Sequence, residues 1–392
     1  MNLKLKPVLI GVLLATGTPM SVGADTLKEA FSDGKAEIDI RMRYEGVDDG
    51  NPATQDADAS TMRTRLGFTS ANYYNIQAHA DFEVTHTGGD FNSLTNGKSD
   101  YAVVADPKLE DLNQVWFAYT GLENNTFKLG RQRVILDNAR FVGNVGWRQN
   151  EQTFDALAYI NSSFDDVSIL LANVAQVNTI LGGSVNTNTN LFNIGIDKTA
   201  IGKITAYAYS IDLDNSSAND TLTLGARLKG SASNFLYTVE YAQQSDTADN
   251  TNNLSAAYTF LEAGYKIGET KIFIADEILG SDGGNAGFQT LLATKHAFNG
   301  WADKFLTTPD DGLNDLYIKA VTKLAGLKLV GVYHDFSSDN GSISYGTELD
   351  LLVVKPIDKN MKALIKYSDY SADAYSTDTQ KIWLSFEMKF SQ

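Results

Sequence analysis

The chain has no cysteine among its 392 residues, so disulfides cannot hold it together. Proline is scarce, with six residues, while glycine is frequent, with 32, a balance typical of many strands and tight turns. No stretch reaches about 18 consecutive apolar residues, which excludes a membrane-spanning helix. Stability has to come from another source, and a closed ladder of hydrogen-bonded strands needs no disulfide.

Basic residues are also fewer than acidic ones. The chain has 32 lysines and arginines and 48 aspartates and glutamates, which gives a net charge of −16. Nothing resembles the basic stripe of a nucleic-acid-binding protein, so nucleic acid is excluded as a partner. The four histidines are scattered without metal-ligand spacing, and neither a GxSxG elbow nor a P-loop is present. We therefore expect no cofactor, no metal site, no catalytic residues and no enzymatic activity.

Residues 1–24 have the features of an export signal. Lys4 and Lys6 supply its positive charge, residues 8–15 an apolar core, and residues 22–24 a small-residue cleavage site. The alternative, a membrane-anchoring helix, needs a longer apolar run. The sequence therefore predicts a signal peptide over 1–24 and one mature domain over 25–392.

Apolar and polar side chains alternate with period 2 along the mature chain. In the last strand Ile382, Leu384, Phe386, Met388 and Phe390 alternate with Lys381, Trp383, Ser385, Glu387 and Lys389. The pattern predicts 18 strands, near 36–45, 62–68, 76–84, 112–120, 125–133, 152–160, 166–174, 190–197, 203–211, 220–229, 234–243, 255–266, 270–278, 314–323, 327–336, 346–355, 360–369 and 379–390. A closing strand that ends on an aromatic residue is typical of bacterial outer-membrane barrels.

The links between these segments alternate between short and long. Short links such as 121–125 and 230–234 are separated by longer ones such as 134–151 and 279–313. Outer-membrane barrels have this pattern because their short turns face the periplasm and their longer loops face outside. We predict an all-β fold, a closed antiparallel transmembrane β-barrel of about 18 strands. The alternatives, a soluble β-sandwich or a β-helix, do not explain apolar outer faces on every strand.

The third long link differs from the others in composition. Residues 130–151 read GRQRVILDNARFVGNVGWRQNE and carry four arginines, with Phe141 and Trp147 among them. Aromatic side chains are unusual at exposed loop tips, so we predict that residues 134–150 fold into the barrel and narrow it. Arg131 and Arg133 share the parity of Leu129 and would face outward, unless Gly130 marks a bulge or the strand ends there.

Charged side chains on the inner face of the strands are candidates for the solute path. The pore-lining set is Arg41, Arg43, Arg63, Arg65, Arg131, Arg133, Arg140, Arg148, Arg227, Lys362, Lys366, Asp155 and Glu240, and the predicted anchors of the constriction loop are Phe141, Trp147 and Asn150. Charges on a wet wall can pair across strands and keep the barrel open. Alternatively, rings of arginine and lysine select anions. The residues alone favour neither role.

Two stretches carry a resemblance to a known family. GRQR with ARFVGNVGWRQNEQTFDA (139–156) and LLATKHAFNGWADKFLTTPDDGLNDLY (291–317) resemble the alginate-export family of outer-membrane porins. The resemblance implies an 18-stranded barrel and a basic lumen for an anionic polysaccharide. It also implies that Arg131, Arg133 and Arg148 belong to an electropositive constriction, while Trp147 and Asn150 hold the loop.

Together these observations predict an outer-membrane channel for anionic solutes, among them an alginate-like uronic-acid polysaccharide or oligosaccharide. The expected partners are outer-membrane lipid and lipopolysaccharide, the anionic small molecule or polysaccharide and, for an exporter, periplasmic export proteins. Three alternatives remain open: a general-diffusion or small-solute uptake porin, a structural or adhesive barrel, and a barrel enzyme. The absence of a nucleophile and base pair weighs against the last.

Overall fold

A computed structural model describes residues 23–392 of the chain. The predicted signal peptide therefore lies, apart from its last two residues, outside the described part. One α-helix, α1, spans Leu27–Ser32 and is capped by Thr26, whose hydroxyl accepts a hydrogen bond from the Glu29 amide at 3.2 Å. Among the described residues no helix is both long and apolar enough to span a bilayer.

The described chain otherwise consists almost entirely of antiparallel strands. Their bounds are β1 Lys35–Asp48, β2 Ala57–Thr69, β3 Ile76–Asp90, β4 Leu109–Tyr119, β5 Asn125–Gln132, β6 Thr153–Phe164, β7 Val167–Asn178, β8 Ser184–Thr199, β9 Gly202–Ile211, β10 Thr221–Ala232, β11 Phe235–Asp246, β12 Ser255–Ile267, β13 Thr270–Leu279, β14 Leu313–Leu324, β15 Leu327–Ser337, β16 Ser344–Pro356, β17 Met361–Ala372 and β18 Thr379–Ser391. Two short 3₁₀ turns, Ser217–Asn219 and Lys295–Ala297, lie in long links.

Each strand pairs with its neighbours in sequence, and β1 closes the sheet against β18. The closing register places Arg43 opposite Ser385 and Tyr44 opposite Leu384, so residues that face the same side of the wall stand side by side. Closure satisfies every strand edge, which a sheet in a bilayer requires. The prediction of an 18-stranded closed antiparallel barrel is confirmed.

The two faces of the wall differ as the alternation predicts. On β18 the outward Ile382 and Leu384 are exposed, whereas the intervening Trp383 is completely buried. The same contrast recurs around the barrel and gives it an apolar outer face and a polar inner one. The strands that flank the links 49–56, 91–108 and 179–183 extend three to six residues beyond the predicted segments, because pairing continues past the apolar band toward these loops.

Three of the long links fill the barrel at one end. They are L2 (91–108), L3 (133–152) and L7 (280–312), and all three lie on the side of the longer loops. Phe141 of L3 packs with Phe288 of L7 and Tyr258 of the wall, at ring-centroid distances of 5.8 and 5.1 Å. Burying these rings away from water is worth on the order of 2 kcal/mol each. Apolar cohesion therefore holds L3 and L7 inside the lumen, and we call L2, L3 and L7 together the plug.

Candidate functional site: the plugged lumen

The turn at the tip of L3 is bonded to the inner face of β1. Arg41 Nη1 donates to the carbonyl oxygens of Gly146, Trp147 and Arg148, each at 3.1 Å. Arg43 Nη1 donates to the Trp147 carbonyl at 2.7 Å, and its guanidinium lies 4.0 Å from the Trp147 ring centroid. Two of the predicted pore arginines therefore bind protein backbone.

Arg148 occupies a socket of three carboxylates that come from distant parts of the chain. Its Nη1 atom lies 3.0 Å from Glu45 and 3.7 Å from Asp106 of L2, and its Nη2 atom lies 3.2 Å from Asp303 of L7. Arg148 is 7% exposed and Asp106 is fully buried. The charge of Arg148 is thus compensated within the plug, and this single guanidinium connects β1, L2, L3 and L7.

Glu151 forms the second charged junction of L3. Its carboxylate accepts from Arg133 Nε at 2.7 Å and from Asn113 and Asn144 at 2.7 and 2.6 Å, and Arg65 lies 3.1 Å away. Burial opposes ionisation of Glu151, but the guanidinium groups of Arg133 and Arg65 hold its pKa well below the usual range. The base of L3 is therefore tied to β2 and β4 by an ionised carboxylate.

L7 docks on the opposite wall through a turn at Gly300. The backbone amides of Trp301 and Ala302 donate to Glu348 Oε1 at 2.5 and 2.8 Å. Gly300 has φ +82°, and a Cβ at this position would lie 2.3 Å from Glu348 Oε2. Only glycine combines this backbone conformation with so close an approach to the carboxylate.

Asn299, the residue before this turn, connects Arg140 of L3 to the wall. Its Oδ1 atom accepts from Arg140 at 2.8 Å, while its Nδ2 atom donates to Glu277 at 2.9 Å and to Asp315 at 3.2 Å. Arg140 also pairs directly with Glu277 at 2.8 Å and is 2% exposed. L3 and L7 therefore share one buried network of charges.

Lys366 on β17 lies in a cage of indole rings. Its Nζ atom is 3.8 Å from the ring centroid of Trp301, 4.2 Å from Trp147 and 5.2 Å from Trp383. Nζ also lies 2.6 Å from Nε2 of His296 in L7. Cations bind favourably to the faces of indole rings, so the cage holds L3 and L7 against β17 and β18.

His296 connects this cage to the carboxylate socket. Because Lys366 donates to Nε2, Nδ1 carries the proton and donates to Asp303 Oδ1 at 2.6 Å. Burial, together with the charges of Lys366 and Arg148, lowers the pKa of His296 well below its ordinary value of 6.5. Against its own burial, Asp303 is kept ionised by His296, Lys381 and Arg148, which lower its pKa.

The three predicted anchors of the constriction loop lie in the plug. Phe141 is in the apolar core that L3 and L7 share, and Trp147 stacks on His296 at a centroid distance of 4.7 Å. The Asn150 amide donates to the carbonyl oxygens of Thr179 and Ile180 at 3.2 Å. These side chains stabilise the loop and leave little surface for a solute.

Six of the predicted pore-lining cations are buried against the plug rather than exposed to solute. They are between 2% and 8% exposed, and they are Arg43, Arg63, Arg65, Arg140, Arg148 and Lys366. The sequence expectation that they line the open path is therefore wrong. The reason is that L2, L3 and L7 pack against the stretch of wall from which Arg43 and Lys366 project, while Arg140 and Arg148 extend from L3 into the same contact.

The pair Arg131 and Asp155 departs from the expectation in another way. Their side chains are 2.9 Å apart and share the face of the exposed Leu129 and Leu157, which is the outer face. Gly130, with φ +122°, does not turn Arg131 into the lumen. Arg133 does reach the lumen, since β5 ends at Gln132.

Several of the predicted lumen charges are arranged in pairs. The pairs are Arg63 with Asp39 at 2.5 Å, Arg65 with Glu83, Arg227 with Glu240 at 2.9 Å, and Lys362 with Glu387 at 2.8 Å. Lys362 is half-exposed and lies near the short-turn end of the lumen. Cross-strand pairing therefore accounts for most of the charge that sequence analysis placed inside the barrel.

One basic area of the lumen is compensated only in part, and it lies near the short-turn end of the wall, away from the plug. We call Arg227, Lys229, Lys271 and Lys319 the lower basic patch. Lys319 is 2.7 Å from Glu262, but in the described part of the chain Lys229 and Lys271 have no carboxylate within 4 Å, and both are exposed to the lumen. Sequence analysis missed Lys271, although its parity with Phe273 and Ala275 places it inside.

Sequence analysis also missed Trp301, Trp383 and His296. Trp383 could have been found, because a tryptophan on the polar face of a strand needs a partner inside the barrel. Trp301 and His296 lie in the irregular loop L7, whose sequence has no hydrophobic periodicity from which their positions could be predicted. Across residues 23–392, no group of three or more histidine, aspartate and glutamate side chains is arranged to hold a metal ion.

Comparison with solved structures shows the same architecture at low sequence identity. OccAB4 of Acinetobacter baumannii has a TM-score of 0.71 at 13% identity over 92% of this chain and 98% of that one. OpdK of Pseudomonas aeruginosa, crystallised with vanillate, has a TM-score of 0.73 at 12% identity over 92% and 100%. OccK9 (OpdG) of the same organism has a TM-score of 0.72 at 11% identity over 93% and 100%.

A search of curated proteins finds none that matches this chain in sequence. The family model described as alginate export, in contrast, matches residues 35–272, from the start of β1 into β13 and thus more than half of the chain. This region contains L3 with Arg148 and two of its three carboxylate partners, Glu45 and Asp106, but not L7 with Asp303. The chain, an outer-membrane β-barrel channel, belongs to the alginate export family.

Proposed function

We propose that this channel passes anionic solutes and that the lower basic patch, rather than the plug, attracts them. The observation that carries the proposal is the pair of lumen-exposed lysines without a nearby carboxylate, Lys229 and Lys271. Beside them, Arg227 and Lys319 keep part of their field although Glu240 and Glu262 pair with them. In a narrow lumen with low-dielectric walls such a field is focused on the solute.

The build of the plug favours a small or oligomeric carboxylate over a long polymer. L3 is bonded to β1 and L7 to β16, so both loops are fixed to the wall and occupy the lumen between them. A polysaccharide could pass only if L3 and L7 moved away from the wall while each of its sugars went through the lumen. OpdK, whose structure holds vanillate, is a barrel of the same fold with a small carboxylate as its ligand.

Export of an alginate-like polysaccharide is the second candidate, and the family match supports it. A uronic-acid chain carries one carboxylate on each sugar and would be attracted by the same lysines. The two candidate functions differ in the width of lumen that the solute requires, which is smaller for a monomeric carboxylate than for a polysaccharide. A channel that admits monomeric uronates and excludes oligomers would contradict the polysaccharide role.

Reversal potentials in planar bilayers test the anionic proposal directly. Changing Lys229 and Lys271 together to Gln removes two lumen charges and should shift the reversal potential in a salt gradient toward cation selectivity. The matched control changes Lys355 and Lys359 to Gln, since Lys355 faces outward and Lys359 lies in a short turn. Equal shifts in both variants, or a wild-type channel that prefers cations, would contradict the proposal.

A further inference from the structure

Six lysines at the short-turn end of the lumen stand directly opposite one another in three cross-strand pairs. These mouth pairs are Lys203 with Lys229 on β9 and β10, Lys266 with Lys271 on β12 and β13, and Lys323 with Lys328 on β14 and β15. They adjoin the short turns 200–201, 268–269 and 325–326. The lysines share the parity of buried lumen residues such as Thr205 and His334, so they face inward.

The two lysines of each mouth pair repel each other. Residues directly opposite in an antiparallel sheet have Cβ atoms about 5 Å apart, and like charges in this arrangement destabilise the sheet. Physiological salt screens charges over about 8 Å, so much of the repulsion remains. An anion between the two ammonium groups would therefore stabilise the barrel.

For most of these lysines, the chain itself does not supply such an anion. Lys203 lies 2.7 Å from Asp197, but within residues 23–392 the other five have no carboxylate within 4 Å. Arg41 and Arg63 also stand directly opposite each other, yet each has its own carboxylate partner, at 3.5 and 2.5 Å. The mouth pairs are thus left open for an anion from solution.

We infer that each mouth pair binds one phosphate group between its two ammonium groups. A phosphate monoester carries about −1.5 to −2 charges at pH 7, so a single group neutralises both lysines, whereas a carboxylate leaves one positive charge. Lysine is also a common phosphate ligand, as a compact point charge. Because the side chains face the lumen, a phosphate in solution reaches them, and the headgroups of the surrounding lipid do not.

This site goes beyond the proposed passage of carboxylates and does not rest on it. Lys266, Lys323 and Lys328 lie outside the lower basic patch. The binding is attributed to the pairing of the lysines and not to their summed field. The two explanations differ when the same number of charges is removed from different pairs, since a summed field depends on the number of lysines alone.

Phosphorus NMR of inorganic phosphate with the whole purified barrel in detergent measures the bound anion directly. At constant ionic strength and a pH above the second phosphate pKa of about 6, the wild type should saturate with three phosphates. Lys323→Gln with Lys328→Gln breaks one pair and should leave two sites. Lys266→Gln with Lys323→Gln removes the same charge but breaks two pairs and should leave one site. Equal losses in the two variants would overturn the inference.

The control removes two lysines at the same end of the barrel that belong to none of the mouth pairs. Lys355→Gln with Lys359→Gln should keep all three sites. Displacement of bound phosphate by an equal concentration of acetate would overturn the preference for a doubly charged group. Displacement by glycerol 3-phosphate would support a phosphate monoester as the ligand, and resistance to it would support free phosphate.

A third variant tests the repulsion itself. Lys328→Glu makes one pair attractive, so it should lose one phosphate site and raise the midpoint of thermal unfolding in buffer without phosphate. A lower midpoint would contradict the repulsion on which the inference depends. Lys229 and Lys271 are unchanged in all these variants. A cation-selective wild-type channel would therefore contradict the proposed function and leave this result intact.

Discussion

At the scale of single residues, the inner side of this barrel shows that an arginine in a porin sequence need not face solute. Arg148 meets Glu45, Asp106 and Asp303, which are distant in sequence from it and from each other. Removing one member of such a buried set leaves uncompensated charge and typically costs 3–5 kcal/mol. The arginines of L3 therefore act first on the stability of the plug.

Gly300 gives a sharp test at the same scale. Ala at this position would bring a Cβ to 2.3 Å from the Glu348 carboxylate, on a backbone with φ +82°. We expect Gly300→Ala to release L7 and raise single-channel conductance in planar bilayers. Gly326→Ala is the matched control, because Gly326 has φ +78° but open space around it. An equal change in both variants would trace the effect to backbone strain alone.

At the scale of elements, the docking of L7 depends on a neutral His296 that is surrounded by charge. While L7 is docked, the pKa of His296 lies well below 6.5, the value it regains when the loop is released. The released loop therefore binds more protons below about pH 6.5, so docking weakens as the pH falls. The lowered pKa of Asp303 acts in the same direction, but only near and below its ordinary value of 3.8.

This linkage predicts a pH-dependent channel. Conductance should rise as the pH falls from about 7.5 to about 5, since L7 is released more often. His296→Gln cannot take up the proton, yet its amide can still accept from Lys366 and donate to Asp303. This variant should be nearly insensitive to pH over the same range. An unchanged pH profile in His296→Gln would contradict the role of His296.

The strands were predictable from sequence because period 2 is a local property, and all 18 were predicted. The inward folding of L3 was predictable too, from Phe141 and Trp147. The partners of its arginines were not, because Asp106 and Asp303 lie in loops that have no periodic pattern. The direction of the side chains near the end of β5 was ambiguous for a similar reason. Alternation between the two faces holds only within the strand, and β5 ends at Gln132.

At the scale of the whole molecule, the orientation in the membrane follows from the link lengths. Links such as 212–220 should lie outside the cell, and turns such as 233–234 should face the periplasm. Epitope tags in 212–220 and in 49–56 should be stained on intact cells. Tags in 120–124 and in 233–234 should be stained only after permeabilisation. The reverse pattern would invert the topology.

The plug also determines at which step of assembly the lumen reaches its final width. Its partners Arg43 and Glu45 are on β1, whereas Lys366 and Trp383 are on β17 and β18, and these walls adjoin only when β1 pairs with β18. Contacts between such distant segments form late, because loop closure has to come first. A barrel in which β1 and β18 are still unpaired would thus lack the docked plug, and the last pairing of strands would also narrow the lumen to its final width.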